Sequence, residues 1–506
     1  MKKTLYLISV IILAFYLFQT YKVTVDYSQS DRFADENDHM IGAYFMLQGK
    51  QLYRDISVVH QPLVYYFGEI SQVLRPANSI FLFVKYQRLM IWVYTVFWNA
   101  VFLIFFGPIV LLFALIFEIL RFFFIGNLLL AETLCVYPMI FIFGLNIKKM
   151  LMGKKLQTYE IIAYSAATFL SVFLLLQLWP AIFFLNLALL WLHRKQIRLI
   201  LWQILPFVIL TVLLFTAVSL KYYFQEVFVY DFRYYLPYMD QVRKIPDFIR
   251  MLFLPLTAIH PNWNNAELVT VLFLLIYAVY AYIFLKKKKL IAFLYLIFCL
   301  VLTNNRATAI KLNDFHLLPW LGMYFFLPVL LLPILPKKFR NPGIGIVIAV
   351  IVIVNFFNHS PFQNKKNIMT ENDINYHDIN KYGLAIKALR RPGDRLIAIP
   401  SDNLIHWVSE TGLATRQIEY YGWQYSIPED KARLINVFKN HPAEFIVNGQ
   451  PYNDLPEFIR PFLDEKYVQV KDQGKPSRLY ILKSILPRIT DSQWHDFEYL
   501  LFAKPV

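Results

Sequence analysis

Long apolar runs separated by short clusters of lysine and arginine set the pattern of this chain. The first run covers residues 5–18 behind Lys2 and Lys3, and no small-residue cleavage site follows it. It therefore reads as an uncleaved span entering from the cytoplasm. Residues 89–147 are long enough for three spans, with uncharged breaks at Gly107-Pro108 and Gly126-Asn127. Two more fit in 159–192, one in 199–220, and four at about 268–285, 290–304, 315–335 and 343–357. The pattern predicts about eleven membrane helices.

Between the first and second spans lies a polar loop, 21–88. Within it Met40, Ile41, Tyr44, Phe45 and Leu47 share a helical face, with Gly49 placed as a C-cap. That predicts a short helix over 38–48 lying on the membrane surface, and Pro62 opens a second over 62–74.

After Phe357 the pattern changes. No run in 358–506 is long enough to span, and short apolar strands (395–400, 444–447, 467–470, 478–482) alternate with helical stretches. This predicts a small α/β domain with its own core. The fold class expected is a polytopic α-helical membrane protein, with a membrane domain over 1–357 and a C-terminal α/β domain over 358–506. No internal repeat is visible, which weakens a transporter built on inverted repeats.

Composition agrees with this class. The 506 residues are 58% hydrophobic and 17% charged, against about 25% charged in an average globular chain. The net charge of +16 would suggest nucleic acid if it formed a patch. Instead it falls in Lys148-Lys149 with Lys154-Lys155, Arg194-Lys195 with Arg198, Lys286 to Lys289, and Lys337-Lys338 with Arg340. Those are cytoplasmic loops under the positive-inside rule, and a nucleic-acid partner is excluded. A cytoplasmic N-terminus and an odd span count put loop 21–88 and the C-terminal domain outside a multi-pass cell membrane. Cys135 and Cys299 lie in apolar runs and offer neither a disulfide framework nor a metal site.

The chemistry concentrates after the first span. Asp31, Asp35, Glu36, Asp38, His39, Asp55 and His60 crowd one stretch of an otherwise apolar chain. Asn37 can cap the surface helix, with Asp38 in its first turn, and that accounts for one acid structurally. Four acids in eight residues ask for more. Asp35, Glu36 and Asp38 are candidates for a general base that takes the proton from an attacking hydroxyl. Asp38, His39 and His60 are candidate ligands for a divalent metal ion that would neutralise a leaving phosphate.

Arg306, Lys311 and His316, at an outer turn, run against the charge bias and are candidates for a phosphate-bearing lipid. Contact with bulk headgroups is the competing reading. Asp55, Arg88, Asp231 and His260 are candidates for the substrate path, and a solvated loop explains them as well. Glu132 stands either at a span mouth or inside the membrane. The chain has no P-loop, no GxGxxG after a strand, and no HExxH, GxSxG or CxxC, so a nucleotide cofactor is not supported.

These motifs resemble the GT-C class of membrane glycosyltransferases. The resemblance rests on Asp35-Glu36 after the first span, on Met46 to Asp55, on His60-Gln61-Pro62 to Tyr66, on Phe315-His316 to Pro319, and on Pro392-Gly393-Asp394-Arg395. The nearest branches are bacterial relatives of protein O-mannosyltransferases and the aminoarabinose transferases that modify lipid A. The resemblance implies a polyprenyl-phosphate sugar as donor, membrane lipids around it, a cell-envelope acceptor and an inverting transfer at the outer surface. It carries Asp35 and Glu36 over as the acidic pair. The aminoarabinose branch has Glu-Lys-Pro-Pro where this chain has His60-Gln61-Pro62-Leu63, so its phosphate-binding lysine is missing. A lipid or glycan flippase with an external gating domain is the alternative. A polymerase or ligase of lipid-linked glycans is a neighbouring class.

Overall fold

A computed structural model describes residues 2–235, 237, 264–304, 314–356 and 360–505. The chain forms two compact units. One contains Met1–Ser28, Arg88–Ala217 and Gln241–Lys366; the other contains Gln29–Gln87, Val218–Asp240 and Asn367–Val506.

The first unit is helical because its sequence is apolar over whole helix lengths, and in lipid only a helix satisfies its own backbone. Its helices are α1 (Lys2–Asp26), α4 (Ile80–Phe106, whose residues up to Gln87 belong to the second unit), α5 (Val110–Leu120), α6 (Ala131–Met150), α7 (Thr158–Leu174), α8 (Trp179–His193) and α9 (Ile197–Ala217), followed by α11 (Asn264–Lys286), α12 (Leu290–Leu302), α13 (Leu318–Leu331) and α14 (Lys337–Phe356). Among the described residues, seven helices are long and apolar enough to cross a membrane, and Thr158–Leu174, Leu272–Lys286 and Leu290–Leu302 are apolar but shorter.

At 11 residues, α5 rises only about 17 Å, roughly half the hydrocarbon thickness. It stops where polar groups gather. Glu118 accepts from Asn99 Nδ2 (2.6 Å), Tyr137 Oη (2.9 Å) and Arg121 Nε (3.1 Å), and Ile125 then turns left-handed.

The α6 span is 94% buried and that of α13 is 89% buried, against 11% for α9. The outer helices therefore carry their large apolar side chains outward, as a lipid solvent selects. The two central helices meet closely. A Cβ on Gly322 would stand 2.7 Å from Ile140 and Val136.

The second unit holds α2 (Ala34–Leu47), α3 (Pro62–Leu74), the short α10 (Leu220–Phe224), a π-helix (Gln225–Tyr235) and the C-terminal region. That region has α15 (Ile368–Leu389), β1 (Arg395–Ile399), α16 (Ile405–Ser409), β2 (Gly412–Leu413), α17 (Pro428–Asn440), β3 (Phe445–Asn448), α18 (Arg460–Lys466), β4 (Tyr467–Asp472), β5 (Lys475–Leu482), α19 (Asp491–Tyr499) and β6 (Phe502–Ala503). The sheet order is β2-β1-β3-β5-β4-β6. β1 runs parallel to β2 and β3, with Leu396 opposite Phe445, and the remaining pairs are antiparallel. Near-continuous apolar runs in β1 and β3 follow from burial on both faces.

The acidic stretch packs on this C-terminal region. Phe45 of α2 meets the His406 ring edge-on at 5.4 Å, and Phe83 stacks on Trp407 at 4.7 Å. Tyr230 of the π-helix packs with Trp423 and Ile427.

Candidate functional site

Helix α2 starts at Ala34, four residues before the expected start. Phe33 is extended and offers no side-chain cap. Asn37 therefore does not cap the helix; its N–H bonds back to Phe33 O at 3.1 Å. Asp35 and Glu36 occupy the first turn, where their charge opposes the helix dipole favourably. The other end forms as its sequence suggests. Gly49 (φ +84°) takes the left-handed position, with Gly49 N–H on Met46 O and Lys50 N–H on Phe45 O. This is a Schellman stop.

Four consecutive polar residues of α2, Glu36 to His39, are buried, and so are Met40 to Ala43. This turn is enclosed all round rather than laid on a surface with one face wet. Asp35 is half-buried.

Two features bring α3 against this turn. A Cβ on Gly42 would stand 2.5 Å from the Tyr65 ring, so only glycine admits that ring. Tyr65 Oη then donates to Asp38 Oδ2 at 2.5 Å. Between the helices the 51–60 loop is closed by Tyr53, a fully buried residue in the left-handed region (φ +66°) whose Oη donates to His60 O at 2.7 Å. The left-handed backbone is unusual for an aromatic residue.

The result is a cluster. The His39 ring stands 4.7 Å from that of His60 and 5.3 Å from that of Tyr65. One ligand atom each from Asp38, His39 and His60 lies within 4.8 Å of the others. One carboxylate and two imidazoles form a donor set that fits a divalent transition ion better than magnesium or calcium. The Tyr65 bond orients the carboxylate from behind.

Burial pushes the Asp38 carboxyl up to about 8; the Tyr65 hydrogen bond opposes this and the Asp35 charge adds to it. The Tyr65 phenol is pushed well up by burial and by Asp38.

Sequence reasoning missed Glu419. Burial, then the charges of Asp38 and Asp35, push its carboxyl well up. Those same three acids act on Tyr421. A parallel bridge between Ser57 and Gln417 brings this segment alongside the His60 loop. Nothing local marks Glu419 in the sequence beyond two tyrosines beside it, because its neighbours come from the opposite end of the chain.

Asp55 accepts from Arg54 Nε (2.9 Å), Arg54 Nη2 (2.8 Å) and Gln51 N (2.9 Å), which ties up its own loop and holds its carboxyl below the usual range. Asp231 is buried on the π-helix. In the first unit, Arg88 is fully buried with Nη1 on Tyr27 O at 3.3 Å. There too His316 Nδ1 meets Glu132 Oε1 at 2.8 Å, in the first turn of α6. Arg306, Lys311 and His260 lie outside the described residues.

No protein-family model and no curated protein matches the chain. Solved structures do. The crystal structure of ArnT from Cupriavidus metallidurans in the apo state superposes with a TM-score of 0.57 at 11% identity, over 94% of this chain and 97% of that one. ArnT from the same organism bound to undecaprenyl phosphate gives 0.56 at 10% identity, over 94% and 98%. The chain therefore has, along nearly its whole length, the fold of ArnT: a multi-pass helical membrane body with a small C-terminal sheet domain.

Proposed function

We propose that the protein is an integral membrane glycosyltransferase that moves a sugar from a polyprenyl-phosphate donor to a cell-envelope acceptor, at the outer surface and with inversion. The observation that carries this reading is the convergence of Asp38, His39 and His60, with the acids Asp35 and Glu419 beside them, in a chain with the ArnT fold. A solved ArnT structure holds undecaprenyl phosphate, and a lipid-phosphate donor of that kind requires no nucleotide pocket.

Asp35 is the best-placed base, since it is half-buried where Glu36 and Asp38 are enclosed. Its carboxylate takes the proton of the acceptor hydroxyl as that oxygen attacks the anomeric carbon. The bond from that carbon to the phosphate oxygen breaks from the opposite face, releasing polyprenyl phosphate and inverting the centre. Asp38, His39 and His60 would hold a divalent ion, whose Lewis acidity offsets negative charge on a phosphate. Tyr65 fixes the Asp38 carboxylate in the cluster. His316, with Arg306 and Lys311, remains our assignment for the lipid phosphate.

The test is turnover of purified protein on polyprenyl-phosphate sugars in envelope lipids, comparing wild type with D35N, E36Q and D38N. D35N is expected to lose about 100-fold or more, the range set by removal of a general base. Undiminished turnover in all three variants refutes the acidic mechanism.

A further inference from the structure

Arg416, in the segment between β2 and α17, is placed to do more than hold a salt bridge. Its side chain is 11% exposed and its donors fan out over three elements. Nη1 donates to Tyr53 O at 3.1 Å, and Nη2 donates to Ser57 Oγ at 3.3 Å and to Glu226 Oε1 on the π-helix. Ser57 Oγ in turn donates to Glu226 Oε2 at 2.7 Å. Nε stands 3.7 Å from Asp430 of α17. The main chain joins in, with Ser57 N–H on Arg416 O at 2.7 Å.

Two short paths lead from this clamp to the site. Tyr53, gripped through its carbonyl, holds His60 O with its own hydroxyl. From the Ser57–Gln417 bridge both chains run on in the same direction, three residues to His60 on one side and two to Glu419 on the other.

We propose that Arg416 is a positioning residue, whose guanidinium and carbonyl lock the 53–60 loop to the C-terminal segment and so set where His60 and Glu419 stand. The inference rests on the transfer reading above. A buried ion pair is weak evidence for stability, because desolvation offsets the attraction; its best-attested use is to fix a register. The planar fork is what the geometry needs. A lysine ammonium can meet Glu226, but it is one point charge and cannot also serve the Tyr53 carbonyl and the Ser57 hydroxyl in fixed directions.

The experiment compares wild type, R416K and R416A in full-length protein by hydrogen exchange and by steady-state kinetics on polyprenyl-phosphate sugars. R416K is expected to fold, to lose amide protection in 53–60 but not in the strands of the sheet, and to lose about tenfold or more in kcat with the donor KM nearly unchanged. Added guanidinium should restore part of the R416A rate. If R416A fails to fold, R416K alone decides. Unchanged protection at 53–60, or an unchanged kcat, or a change in KM alone, overturns the proposal. An inert wild type refutes the transfer reading instead, and the exchange result then decides the positioning claim by itself.

Discussion

Tyr65 donates its hydroxyl to Asp38 at 2.5 Å across two helices that are joined by a fourteen-residue connection, 48–61. This bond is a force drawing the buried carboxyl back toward its ordinary acidity, while burial and Asp35 push it up to about 8. Removing the hydroxyl leaves burial unopposed.

Tyr65→Phe is therefore expected to raise the Asp38 pKa further, by about one unit. With a smaller fraction of Asp38 ionised at pH 7, transfer should fall, and the rising limb of the pH–rate profile should move to higher pH. The unpaired carboxyl oxygen should also cost about 1–3 kcal/mol of stability, read by thermal unfolding. A Y65F profile superimposable on that of wild type would show that Asp38 does not titrate in the rate.

Gly42 is the steric permission for that bond. A methyl group there meets the Tyr65 ring at 2.5 Å, and overpacking of this kind costs about 1–3 kcal/mol. Gly42→Ala should lower the unfolding temperature and reproduce the Y65F pH shift, because the ring must withdraw from Asp38. In the double variant with Y65A the penalty of the added methyl should largely vanish. Full additivity of the two losses would mean that the ring and residue 42 do not compete for the same space.

Much of the fold was legible because membrane helices need only length and apolarity, and each run anticipated from 5–18 to 343–357 has a helix on it. Helix α3 begins at Pro62, as a proline at the first turn announces. The start of α2 was not legible, since Phe33 supplies no capping side chain and Asn37, a good capping type, drew the boundary inward. The short α5 was hidden for a different reason. Its end is set by Glu118 finding Asn99 and Tyr137 on neighbouring helices, which no local pattern encodes. In the candidate site, residue types flagged Asp38, His39 and His60 as possible ligands. Glu419 and Arg416 carried no such flag, because their relation to that stretch is made by contacts between distant parts of the chain, the Ser57–Gln417 bridge and the bonds of Arg416 to Tyr53 and Ser57.

Metal binding should report the same cluster independently of turnover. Ligands must shed their protons to bind, and Asp38 keeps its proton to about pH 8. Affinity for Zn²⁺ should therefore climb with pH up to about 8, by about tenfold per unit while one proton is displaced. H60A and D38N should each weaken binding, and D38N should also flatten the pH slope. Calorimetric titration at pH 6, 7 and 8 reads both effects. Equal, pH-independent affinity in wild type and both variants would place the ion elsewhere.

His406, under α2, gives the second unit an acid limit. Its ring is buried against Phe45, and burial lowers its pKa to about 4, with a weak opposing contact from the Thr411 carbonyl. An unfolded histidine takes its proton near 6.5. Between about pH 6.5 and 4 the unfolded chain thus binds a proton that the native state refuses, and stability falls as pH falls through that window. At about 1.4 kcal/mol per unit the loss at pH 4 is on the order of 3 kcal/mol. His406→Phe keeps an aromatic ring against Phe45 and removes the titration. Denaturant unfolding should show wild type losing stability steeply from pH 6.5 to 4, and H406F losing less by about that amount. Parallel acid curves for the two proteins would mean that His406 is protonated in the native state, and that the α2–α16 contact tolerates its charge.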